Sequence, residues 1–120
     1  MTSSKKRSKP HPLLWVVESL QDEPSYLDRA WFGCRAVYIH GLMVLVLCSG
    51  EEPWNGLLIP TDHEFHDDIM KEYRGVVQHP VLKKWLYLPE GIEDFEAVAS
   101  EVVRAVRIGD HRFGIEPKEK

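Results

Sequence analysis

The feature that most restricts what this chain can fold into is the run from Arg29 to Leu47. It is rich in aromatic and β-branched residues, and His40-Gly41 interrupts it near its middle. Glycine reaches the positive φ that tight hairpin turns require, so the run reads as two strands folded back on each other at His40-Gly41. The second of them, Leu42 to Cys48, is almost entirely apolar, as expected of a central strand covered on both faces, or of one covered by helices and by a partner.

The remaining strands follow from the same signals. Asn55-Gly56 leads into a short third strand, Leu57 to Ile59. Val76-Val77 and Leu82 to Leu88 supply two more, with Pro89 ending the last because proline cannot donate to a ladder. A first helix is expected from about Pro12, with Leu13, Leu14, Val16, Val17 and Leu20 as its apolar face and Asp22-Glu23-Pro24 as its stop. Thr61 and Glu64 have the spacing of a reciprocal capping box, and Phe65, Ile69 and Tyr73 continue a helical stripe that Gly75 ends. Phe95, Val98, Ala99, Val102 and Val106 form a final amphipathic helix closed by Gly109. The order α-β-β-β-α-β-β-α, without βαβ alternation, predicts a single α+β domain with a five-strand antiparallel sheet and helices packed on it.

At 120 residues, with 43% hydrophobic and 28% charged residues, the chain has the length and the apolar content for one core. The expected organisation is a disordered basic tail over 1–10, a folded body over 11–110 and a polar C-terminal tail over 111–120. The formal charge of −4 argues against a nucleic-acid partner. Lys5, Lys6, Arg7 and Lys9 crowd the tail and leave the body more acidic still. No run approaches the roughly 20 apolar residues that span a bilayer, so no membrane association is expected. Cys34 and Cys48 are the only cysteines, and together with the composition they suggest a cytoplasmic protein.

The stretch Arg29-Ala30-Trp31-Phe32-Gly33-Cys34, followed by Tyr38, Gly41 and Met43, resembles the N-terminal domain of TfoX-type competence regulators, whose pattern runs approximately R-x-M-F-G-G, then Y, G and M. Trp85-Leu86-Tyr87-Leu88-Pro89-Glu90, with Glu93-Asp94 and a closing helix, is similar to that family's aromatic-x-Leu-Pro-Glu element. Trp31 stands where the family has methionine, and Cys34 where it has a second glycine. The resemblance covers about Arg29 to Val106. It implies a fold like that of secretion-chaperone-like domains and a non-enzymatic regulatory module acting on a protein partner or by self-association. A role that depends on the second, C-terminal domain of such regulators is not carried over.

Three constellations invite a chemical reading. Arg29, Trp31, Phe32, Gly33 and Tyr38 combine a forked donor, aromatic surface and a permissive backbone, which suits a binding site. The plainer reading puts Phe32 in the core, Gly33 in a bulge or at a close approach, and Arg29 against a neighbouring acid. His63, His66 and Asp67 are neighbours on one predicted helix and are the candidate metal ligands, against a plain acidic first turn that needs no metal. Cys34 and Cys48 would face each other across a hairpin with a three-residue loop, which leaves a redox role open, but free buried thiols are the expectation. No cofactor motif is present. If the protein were instead an enzyme, Arg29, His40, His63 and His66 would have to surround one cleft.

Overall fold

The structure is a computed structural model that describes residues 11–117. The basic tail over 1–10 and the last residues of the polar C-terminal tail lie outside the described residues.

The sheet has six antiparallel strands. They are β1 (Leu27–Trp31), β2 (Cys34–Ile39), β3 (Leu42–Ser49), β4 (Asn55–Ile59), β5 (Val77–Gln78) and β6 (Leu86–Pro89), in the spatial order β1-β2-β3-β4-β6-β5. The expected single-domain α+β architecture with an antiparallel sheet is present, but the strand count is six rather than five. The added strand is β1. Its turn is Phe32-Gly33, where both residues have positive φ (49° and 80°), just as His40 and Gly41 do (51° and 79°) at the β2–β3 turn. Positive φ at both central residues defines the type I′ turn that suits the twist of a two-residue hairpin. Phe32 is not one of the usual residues of such a turn, so Arg29 to Ile39 reads as one strand when it is two.

Seven residues, Leu14–Leu20, form a 3-10 helix rather than the expected α-helix. Its buried residues fall at three-residue spacing, Leu13 with Val16 and Val17 with Leu20, which matches three residues per turn. The capping box is also absent. Thr61 is buried and its hydroxyl donates to the Arg112 carbonyl at 2.6 Å instead of capping. A 3-10 turn, His63–Phe65, precedes α1 (His66–Glu72). The helix α2 (Phe95–Arg107) ends as its sequence suggests. The Gly109 amide donates to the Val106 carbonyl and the Asp110 amide to the Ala105 carbonyl, a Schellman closure on a glycine at φ 84°.

The sheet has two different faces. One carries Val37, Leu45, Leu47, Leu57, Ile59, Leu86 and Leu88 and is covered by Val16, Val17 and Leu20 of the 3-10 helix, Ile69 of α1, and Phe95, Val98, Ala99 and Val102 of α2. No helix among the described residues lies on the other. Its buried residues Ala36, Tyr38, Met43, Val46, Cys48, Leu58 and Tyr87 are roofed by Trp31, Cys34, Trp54, Leu82, Trp85 and Ile115. The last of these comes from the segment expected to be a tail. Ile115 exchanges both backbone hydrogen bonds with Met43, and Phe113 is buried on the helix side, so the folded body runs past residue 110.

A bulge sets the cysteine register. Ile39 pairs with Leu42 and Tyr38 with Met43, but Val37 pairs with Leu45, which leaves Val44 as an extra residue on β3. Without that insertion Cys34 would face Leu47. With it, Arg35 pairs with Leu47, and Cys34 lies opposite Cys48.

Candidate functional site

The helix-free face and the edge beside it hold the residues singled out in the sequence. Trp31, Phe32 and Gly33 sit at the tip of the β1–β2 hairpin. Phe32 is not a core residue. It is 89% exposed, because the left-handed backbone of the turn points it away from the sheet. Its ring meets that of Trp31 edge-on at 4.9 Å, and Trp31 lies 5.4 Å from Trp85. Gly33 is a turn residue with open space around it, not a bulge.

Arg29 stacks its guanidinium over the Tyr38 ring, 5.1 Å from its centroid. The neighbouring acid, Asp28, is held instead by Arg35, whose Nε donates at 2.9 Å, and by the Tyr26 hydroxyl at 2.6 Å. Burial, with the Asp28 carboxylate beside it, pushes the Tyr26 hydroxyl up to about 12. Arg29 therefore remains exposed next to the aromatic tip.

Two depressions flank Trp31. A cleft of about 710 Å³ runs along Trp31, Val81, Leu82, Trp85, Ile115 and His63, with Lys83 and Lys84 on its rim. A smaller pocket of about 480 Å³ is lined by Trp31, Phe32, Cys34, Trp54 and Leu82. Cys34 and Cys48 are joined by a disulfide, Cα to Cα 4.8 Å, which corrects the expectation of free thiols. The bulge at Val44 brings them into register, with a two-residue turn where the sequence suggested a three-residue loop.

His79 organises the wall of both depressions, although in the sequence it shows only as part of a His-Pro break. It is fully buried. Its Nε2 donates to the Pro53 carbonyl at 3.0 Å, and its Nδ1 accepts from the amides of Val81 (3.0 Å) and Leu82 (2.9 Å). These partners fix a neutral ring with the proton on Nε2. Burial pushes its pKa below the usual 6.5, opposed in part by the bond to Pro53. Trp54 and Tyr87 pack on the ring at 4.6 Å and 5.1 Å. The expected strand from Leu82 accordingly begins only at Leu86, because residues 79–85 wrap around this imidazole.

The candidate metal ligands are arranged otherwise. The rings of His63 and His66 stack at 4.6 Å, 35° from parallel, so their in-plane lone pairs do not converge on one point. His66 is buried, and its Nε2 donates to the Lys84 carbonyl at 3.0 Å. Asp67 is exposed, and no group of three or more His, Cys, Asp or Glu side chains that could hold a metal occurs among the described residues. Titration with Zn²⁺ is expected to give no stoichiometric micromolar binding. One-to-one binding that disappears in His66→Ala would overturn that expectation.

His40 lies at the β2–β3 turn, where its amide donates to the Ser25 hydroxyl and its ring is 4.0 Å from Glu23. Of Arg29, His40, His63 and His66, only His63 lines either of the two depressions beside Trp31. No helix among the described residues is long and apolar enough to cross a membrane. Compared with protein-family models, curated proteins and solved structures, the chain matches none.

Proposed function

We propose that this protein is a non-enzymatic binding module of the TfoX N-terminal type, with a secretion-chaperone-like fold, that acts through protein contacts made at the β1 edge and the aromatic tip beside it. The observation that carries this reading is Phe32, a large apolar side chain 89% exposed next to Trp31, Arg29 and a strand edge that has no outer partner among the described residues. Aromatic residues and arginine are the side chains enriched at the centres of protein interfaces. That Arg29, His40 and His66 line neither depression supports a module over an enzyme built around one cleft.

The edge favours a second copy as partner. In a two-residue hairpin the residues flanking the turn are hydrogen-bonded to each other, so Leu27, Arg29 and Trp31 use their backbone groups on β2. Asp28 and Ala30 then direct theirs outward. Antiparallel self-pairing centred on Ala30 sets Arg29 of one copy opposite Trp31 of the other, a cation–π match on both sides of the dyad. Centring on Arg29 or Asp28 would oppose like charges instead.

Ala30→Pro tests this directly. It deletes an amide that β2 does not use, and proline is tolerated on an edge strand whose N–H faces outward. Light scattering across a concentration series should give a dimer for the wild type, and for Ala30→Pro and Phe32→Asp a monomer with unchanged circular dichroism. A wild type that stays monomeric, and that retains the same proteins from cell lysate as Ala30→Pro, would remove the reading.

A further inference from the structure

The two sulfurs of the Cys34–Cys48 bond differ in access. Cys48 is fully buried in the centre of the sheet, whereas Cys34 is only partly buried and lines the pocket of Trp31, Phe32, Trp54 and Leu82. Cys34 spends its backbone hydrogen bonds on Trp31, and Cys48 pairs past Cys34 toward Gly56. The backbone between the two cysteines is therefore held by neighbouring pairs and not by the bond itself. A reagent entering the pocket meets one sulfur, and the strands on either side stay paired while the bond opens.

We propose that Cys34–Cys48 is a thiol-exchange site, opened in the folded protein by a dithiol reductant that reaches Cys34 through the aromatic pocket. A thiolate of the reductant attacks Cys34 Sγ and forms a mixed disulfide, and Cys48 Sγ leaves with the electron pair and takes up a proton. The reductant's second thiol attacks its own sulfur in the mixed disulfide, releases the Cys34 thiolate and closes the reductant's ring. Two electrons pass from the dithiol to the protein. A monothiol stalls at the first step, because Cys48 stays opposite Cys34 and attacks back. In a compartment rich in thiols, disulfides are rare and those that form are mostly transient and functional, which is how a bond with one accessible sulfur behaves. The site lies directly beneath Trp31 and Phe32, so the redox state bears on the aromatic tip. The proposal does not depend on what that tip binds.

The test uses the full chain, air-oxidised, in native buffer with increasing dithiothreitol. Free thiols are blocked with maleimide and counted by mass, and tryptophan emission is followed in parallel. The disulfide quenches an adjacent excited indole by accepting an electron, so opening it should brighten Trp31 and Trp54. The expected rate rises in proportion to dithiothreitol and exceeds the global unfolding rate by about tenfold or more. A brief pulse of glutathione, trapped with acid, should leave its adduct on Cys34. Leu82→Trp, which fills the pocket, should slow reduction several-fold with the unfolding rate unchanged. Reduction that levels off at the unfolding rate whatever the dithiol concentration, an adduct on Cys48, or air-exposed protein that keeps two free thiols would each overturn the proposal.

Discussion

Replacing His79 with phenylalanine is expected to destabilise the protein by about 3 kcal/mol, because the amides of Val81 and Leu82 and the carbonyl of Pro53 all lose the partner that this ring supplies. Each buried group left unpaired carries about 1–3 kcal/mol, and the sum is reduced because residues 79–85 can loosen toward solvent. Urea unfolding measures the difference, and a loss under about 1 kcal/mol would mean that the loop holds its shape without the imidazole. His79→Gln keeps one donor and one acceptor, so a smaller loss is expected. It also isolates the pH dependence. The folded pKa of His79 lies below 6.5, so at pH values above about 6.5 neither state binds the proton and the full stability is present. As pH falls below 6.5 the unfolded chain takes up a proton that the folded chain refuses, and stability declines until the lowered folded pKa is reached. His11, also depressed chiefly by burial and further by Arg35, adds in the same direction and is common to both proteins. Between pH 7 and 5 the wild type should therefore lose more stability than His79→Gln, with a slope difference of up to about 1.4 kcal/mol per pH unit.

The sequence carried the fold where one residue decided one conformation. Gly41 turned β2 into β3, and Gly109 closed α2. It failed where a conformation was imposed from elsewhere. Phe32 is held at positive φ by the pairing on both sides of it, and no propensity of phenylalanine announces that, so β1 was hidden inside a longer apparent strand. Thr61 has the chemistry of a cap, but the Arg112 carbonyl, far away in sequence, takes its hydroxyl. Arg112 is itself pinned by Asp110 and Glu72, at 2.7 Å and 2.8 Å, an arrangement that only the folded chain brings together. The candidate site divides along the same line. Arg29, Trp31, Phe32 and Tyr38 are local to one hairpin and were legible as a cluster. His79 was not, because its three partners come from a turn at Pro53 and from its own loop, and a lone His-Pro carries no trace of them. The disulfide was half legible: the symmetry of Cys34 and Cys48 about the turn is in the sequence, but the extra residue at Val44 that aligns them is not.

Gly56→Ala should be the most damaging single-methyl change in the sheet, with a loss of about 3 kcal/mol or more. A Cβ built at this position would lie 2.2 Å from the Leu88 carbonyl oxygen, 2.7 Å from the Glu90 nitrogen and 3.1 Å from the Pro89 carbonyl carbon, with φ at 126°. All three are backbone atoms, so no side chain can swing aside. The strand β6 cannot retreat as a unit either, since Leu86 and Tyr87 pair with β4 on one side and β5 on the other, and the Glu90 amide donates to the Asn55 carbonyl next to the clash. Gly33→Ala provides the control: its φ is 80°, but nothing lies within 4 Å of the added methyl. Only the left-handed backbone penalty of about 1–2 kcal/mol should apply there. The difference between the two variants, read from their urea midpoints, separates the close approach of two strands from a conformational preference that both glycines share. Equal losses would mean that β4 and β6 are less tightly opposed than Gly56 and Pro89 require.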